Sequence, residues 1–221
     1  MKHHSNQADE KETTRIEAFS DGVFAIAITL LVLELIGTLH SHRSLHLRSF
    51  FIGNWQSFLA FLIGFITILV CWINHHTVFE YIRKTDTNFM WINGFLLFLV
   101  TFTPFPTAVL AEYLQTESTM ALSIYGFNYV MISIASYCIC SYAYNHQLIY
   151  EAQKEIFYFY KVLYRYSIIY TIIAFSFSFI SIIVPIILYI ILFIVFAAPG
   201  KFAYWLSNNS KKRRMTSKAN H

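Results

Sequence analysis

The sequence predicts an all-α, polytopic membrane protein with six transmembrane helices, and three observations carry that prediction. The chain is 57% hydrophobic and 19% aromatic with only 13% charged residues, too apolar for an ordinary soluble domain. Its apolar runs reach the length of about 20 helical residues that a hydrocarbon core requires, and charged turns separate them. Lysine and arginine are unevenly placed as well. With the N-terminus inside and six spans, 14 of the 16 fall on the cytoplasmic side and only Arg43 and Arg48 fall outside. The expected protein is therefore a multi-pass protein of the cell membrane with both termini cytoplasmic.

Residues 1–14 are polar and mixed in charge, without the basic, apolar and small-residue order of a cleaved signal peptide, and read as a cytoplasmic N-terminus. The transmembrane domain is expected over 15–205, with spans at about 15–37, 55–76, 89–110, 119–143, 165–182 and 185–204. Thr14 followed three residues later by Glu17 reads as a capping box that opens the first helix. Trp72 reads as an interfacial aromatic at the end of the second span. Pro104 and Pro106 predict that the third helix kinks or ends there, since proline lacks a donor and crowds the preceding turn. The polar stretch at 144–165 reads as an amphipathic cytoplasmic connection. The run at 167–200 holds no Asp, Glu, Lys or Arg and is long enough for two short helices turning near 181–185.

Residues 206–221 form a basic tail whose KKRR at 211–214 suits anionic lipid better than nucleic acid, so no nucleic-acid partner is expected. Cys71, Cys138 and Cys140 all lie in apolar stretches and behave as small hydrophobes. His40, His42 and His46 sit at irregular spacing in the first loop. Asn74, His75 and His76 close the second span as a polar cluster, with Glu80 one turn after His76. The first-loop histidines match no usual metal-ligand spacing, while His76 and Glu80 share a helix face and could hydrogen-bond or share a metal; a structural role is the expectation for both groups, and neither a metal nor a cofactor is expected.

The first span, RIEAFSDGVFAIAITLLVLEL at 15–35, organises the rest. Between Phe19 and Leu33 only Ser20, Asp21 and Thr29 interrupt apolar residues or glycine. An ionisable group in such a span usually faces the bundle interior or a water-filled path, so Asp21 is either a functional residue or a tie between helices. Ile26, Leu30 and Leu33 lie within roughly 60° of one another, with Thr29 at the edge of that arc, and form one stripe. Ser20 and Asp21 point roughly 120° or more away from Ile26 and should meet neighbouring helices. Glu34 lies near the far mouth of the span. Because one helix cannot enclose a conduit, several copies closing symmetrically would be needed to make one.

These residues resemble the prokaryotic, single-repeat branch of the transmembrane protein 175 family, the lysosomal potassium channel family. The likeness lies in Arg15 with Phe19-Ser20-Asp21-Gly22, in Trp72-Ile73-Asn74-His75-His76 and in Pro104-Phe105-Pro106-Thr107, three motifs in order over about half the chain. The resemblance implies a homotetrameric channel in the lipid bilayer, moderately selective for potassium ions over sodium, with the first helix lining a central pore and no carbonyl filter. It further implies that Ile26, Thr29, Leu30 and Leu33 supply the constriction and that Arg15, Phe19, Ser20 and Asp21 form a structural network fixing the first helix. Whether Thr29 or Leu30 faces the ions stays open.

Composition and periodicity alone leave other functions standing. An ion- or proton-coupled secondary transporter would use Asp21 or Glu34 as a titrating carrier, often beside a broken helix. A membrane enzyme would need converging acid, base or metal ligands, and His75, His76 and Glu80 are the only dense group. The expectation is that the protein is not an enzyme.

Overall fold

A computed structural model describes residues 2–41 and 46–197, with side chains over 12–40 and 46–197. The predicted tail at 206–221, the last residues of the sixth span and His42 lie outside the described residues. The described chain is all helical apart from one antiparallel bridge, Ile82 to Ile149.

The first helix, α1 (Lys2–Ser41), begins well before the expected capping box. The residues just before Thr13 include Gln7, Ala8, Glu10, Lys11 and Glu12, all good helix formers, so the helix continues through Thr14 and Glu17 without a start there. Its apolar part, Glu12–His40, has 29 residues and spans about 43 Å at 1.5 Å per residue, longer than a hydrocarbon core of about 30 Å. A short helix, α2 (Leu47–Gly53), leads through Asn54 into α3 (Trp55–Phe79).

Asp86 caps α4 (Thr87–Phe102), its Oδ1 accepting the Phe89 N–H at 2.8 Å and its Oδ2 the Tyr142 hydroxyl at 3.1 Å. The proline pair breaks the third span as expected. The helix α4 ends at Phe102, and α5 (Pro104–Tyr113) starts on Pro104, where a missing N–H leaves no helical bond unmade. Thr103 stands at the break with its hydroxyl donating to Leu99 O and accepting from Asn128 Nδ2, both at 3.0 Å. Asn128 belongs to α6 (Ser118–Asn145), so the break is tied to the neighbouring helix.

The stretch at 144–165 departs from its expected form. A turn, the Ile82–Ile149 bridge and a single 3-10 turn at Glu151–Gln153 occupy only its first part, and α7 (Lys154–Phe177) takes the rest as one unbroken helix. Phe157, Tyr160, Leu163 and Tyr164 recur at helical spacing and are all buried, and that periodicity outweighs the charges on the opposite face. A turn through Ser178 and Ser181 leads to α8 (Ile183–Phe196), with Pro185 in its first turn. At 14 residues, α8 is about 21 Å long.

Among the described residues four segments are long and apolar enough to cross a membrane: Glu12–His40, Trp55–Phe79, Thr87–Tyr113 and Ser118–Asn145. The α7 helix carries Lys161 and Arg165, and α8 is apolar but short. One large apolar core, including Phe24, Leu31, Ile68, Phe89, Val100 and Tyr160, runs between the helices. Against this body α1 packs on α3, α4 and α5, and over residues 12–40 the opposite face stays uncovered.

Candidate functional site

Two faces of α1 define the site. Its inner face buries Ser20, Phe24, Ala27 and Leu31, each at most 1% exposed. There a directed chain of hydrogen bonds crosses three helices. Asn93 Nδ2 of α4 donates to Ser20 Oγ at 3.0 Å, and Ser20 Oγ donates to Ile16 O at 2.8 Å. With its amide nitrogen so used, Asn93 turns Oδ1 toward His75 Nε2 of α3 at 2.9 Å, so His75 carries its proton on Nε2 and donates. Phe24 and Phe79 flank the His75 ring, with centroids 5.3 and 4.2 Å away.

One turn along, Trp72 Nε1 donates to Asp21 Oδ1 at 2.9 Å. The next contact is at the rim, where His76 Nδ1 lies 3.0 Å from Glu17 Oε1 and its Nε2 lies 3.8 Å from Glu80 Oε1. The Trp72 and His76 rings stack at 6.0 Å. Ser20 and Asp21 thus meet neighbouring helices, as their angle from Ile26 predicts. Three other partners escaped the sequence reading. Trp72 holds a carboxylate rather than simply marking an interface, and Glu17 engages His76 rather than capping a helix start. Asn93 was the third, and its signal was an amide within the mostly apolar body of α4, beyond the polar first turn of Thr87 and Asn88.

Arg15 and Phe19 stand apart. Arg15 is exposed and makes no hydrogen bond or ion pair among the described residues, and Phe19 is 67% exposed. Within one chain the expected network therefore runs through Ser20 and Asp21 only. Consecutive helix positions diverge by about 100°, which also separates Asn74 from its neighbours. Asn74 turns away from α1, donates to Val70 O and Phe196 O at 2.6 and 2.8 Å, and accepts from the Tyr164 hydroxyl at 3.3 Å.

The outer face of α1 is uncovered. Phe19, Gly22, Ile26, Thr29, Leu33 and Ile36 are all exposed and follow one another at three- and four-residue steps. Ile26 and Leu33 are 59% and 60% exposed. Leu30 departs from the stripe expected for it: it is half-buried, while Thr29 is exposed with its hydroxyl donating to Ile26 O at 2.8 Å. The reason is the direction in which the exposed arc extends. Thr29 lies about 60° from Ile26 toward its centre, whereas Leu30 lies about 40° the other way, against the packed side. Glu34 is exposed but lies about 80° from Ile26 on that packed side. With Thr38, Ser57, Thr107 and Glu112 it lines a cavity of about 60 Å³ between α1, α3 and α5.

Close helix contact beneath the stripe depends on Gly64 of α3. A methyl group there would come within 2.8 and 2.9 Å of the Thr107 side chain and 3.2 Å of Leu31. Among the described residues no group of three or more His, Cys, Asp or Glu side chains is placed to hold a metal.

The fold and this site together define a multi-pass helical membrane protein whose first helix is clasped on one face and bare on the other. Residues 15–104 match a protein family described as the endosomal/lysosomal potassium channel TMEM175. A potassium channel of Chamaesiphon minutus is 52% identical over 128 residues, covering 57% of this chain and 63% of that protein. One from Streptomyces collinus is 40% identical over 132 residues, covering 56% and 60%. The chain is thus matched over somewhat less than two thirds of the length of these curated relatives. The crystal structure of a lysosomal potassium-selective channel TMEM175 homologue from Chamaesiphon minutus superimposes with a TM-score of 0.73 at 40% identity, covering 86% of this chain and 98% of that one. This chain belongs to the TMEM175 family, a family of ion channels rather than enzymes.

Proposed function

We propose that the chain forms a potassium-permeable channel in which the first helices of four copies surround a central conduit. The observation that carries this reading is the bare stripe on a helix whose opposite face is fixed to its own bundle. Closed symmetry supplies the missing wall, because identical stripes from several copies can face one axis. In that arrangement Ile26, Thr29 and Leu33 face the ions and Leu30 flanks them. The relatives named as potassium channels support the choice of ion.

Selectivity in this reading comes from bore and dehydration. Rings of Ile26 and Leu33 lie about 10 Å apart along the axis and offer no oxygen in place of the ion's water. Potassium sheds water more readily than sodium and is the favoured ion, while Thr29 hydroxyls form the one polar ring between them. The distribution of lysine and arginine supports cytoplasmic termini.

Reconstitution into liposomes tests the proposal. The expected current reverses near the potassium equilibrium potential, and the purified protein has the native mass of a tetramer. Flux in strict stoichiometry with a second ion would replace the channel with a transporter. A monomeric or dimeric native mass would remove the shared conduit.

A further inference from the structure

A second cavity, of about 50 Å³, lies inside a single chain between α3, α4, α6, α7 and α8, away from the bare stripe. Val70, Leu96, Ile132, Leu192 and Phe196 give it a largely apolar wall, and no Asp, Glu, Lys or Arg is among the lining residues. Polar groups interrupt that wall from three helices: Asn74 on α3, Tyr129, Ser133 and Ser136 on α6, and Tyr164 and Ser167 on α7.

Some of these groups are bonded yet keep room to accept. The Ser136 and Ser167 hydroxyls donate to Ile132 O and Tyr164 O, and the Tyr164 hydroxyl donates to Asn74 Oδ1, so each of the three oxygens still has a lone pair to offer. Ser133 and Tyr129 differ. They are 6% and 8% exposed, and neither hydroxyl makes a hydrogen bond among the described residues. Four residues apart on α6, they share one helix face, and both border the cavity. A buried hydroxyl left unpaired is costly, and native interiors meet that need with protein groups or ordered water.

We infer that the cavity binds a small cluster of water, held by the Ser133 and Tyr129 hydroxyls and shared with the oxygens of Ser136, Ser167 and Tyr164. At about 10–15 Å³ per molecule there is room for roughly three to five, and each can find the two to four partners it needs among these oxygens and its neighbours. A lipid acyl chain would fill the space but leave both hydroxyls unpaired, and an ion would find no opposite charge. The cluster is separate from the proposed conduit. It adds a water-mediated link from α6 to α7 and, through the Tyr164 hydroxyl, to Asn74 of α3.

Hydroxyl-radical footprinting by X-ray radiolysis, read by mass spectrometry on the purified protein, tests this without reference to ion flux. Radicals formed from enclosed water modify the side chains beside it, even where bulk radicals do not reach. Tyr129 and Tyr164 line the cavity, whereas the similarly buried Tyr125 and Tyr189 do not. The first pair should be modified severalfold faster than the second. Ser133→Val, which replaces an anchoring hydroxyl with methyl groups, should bring the rates at Tyr129 and Tyr164 down toward that of Tyr125 in protein that elutes like wild type. Equal rates for the two pairs would mean a dry or hydrophobe-filled cavity and overturn the inference, as would unchanged rates in Ser133→Val. The wild-type comparison requires no variant and decides the matter even if Ser133→Val fails to fold.

Discussion

Asn93→Leu is the sharpest probe of the clasp. Leucine has nearly the shape of asparagine, so packing of the 2% exposed side chain changes little, and the loss is confined to hydrogen bonds. Ser20 keeps its bond to Ile16 O, but the His75 Nε2–H loses its acceptor in a position where Nδ1 is already without a partner. An orphaned buried donor costs about 1–3 kcal/mol, and hydrogen bonds between membrane helices average nearer 0.6 kcal/mol, so a loss of about 0.6–3 kcal/mol is expected. His75→Phe would keep the ring between Phe24 and Phe79 and leave the Asn93 oxygen unpaired, at a similar cost. Combining the two removes both orphans. The double variant should therefore be more stable than the sum of the single losses by about 1 kcal/mol or more, in equilibrium unfolding from mixed micelles. Strictly additive losses would mean that Asn93 and His75 are not coupled, and the directed chain to Ser20 would fall with that result.

Three further predictions follow from the two faces of α1. Ile26→Ala and Leu33→Ala should raise potassium conductance and relax discrimination against sodium, and Thr29→Val should change selectivity more than Leu30→Ala; bilayer recordings in which Leu30→Ala has the larger effect would reverse the assignment of the polar position. Gly64→Ala should destabilise by about 1–3 kcal/mol through overpacking against Thr107 and Leu31, whereas Gly94→Ala, with nothing within 4 Å, should be neutral or stabilising by up to about 1 kcal/mol in the same unfolding assay. Trp72→Phe should cost about 1–3 kcal/mol by stripping Asp21 of its donor, while Arg15→Ala should change the stability of the single chain by less than about 0.5 kcal/mol, so that any loss of assembly in Arg15→Ala would have to arise between copies.

Much of this molecule could be read along the chain because its signals are local. The lengths of apolar runs and the placement of lysine and arginine define a multi-pass helical protein. Pro104 stops a helix by its own covalent structure, and the angle between Asp21 and Ile26 follows from the pitch of α1. Other features depend on what lies opposite. Trp72 carries the same indole whether it meets lipid headgroups or Asp21, and only the packing of α3 against α1 chooses the carboxylate. Glu17 matches a capping box in sequence, yet the helix begins upstream and turns it toward His76. The charges at Lys154 and Lys161 suggested an amphipathic connection between spans, and the buried face of Phe157, Tyr160 and Tyr164 makes most of that stretch part of α7. Thr29 and Leu30 are adjacent in sequence and nearly equidistant from Ile26, so their spacing cannot rank them. The neighbouring helices cover one edge of α1 and not the other, and that asymmetry leaves Thr29 exposed and Leu30 half-buried.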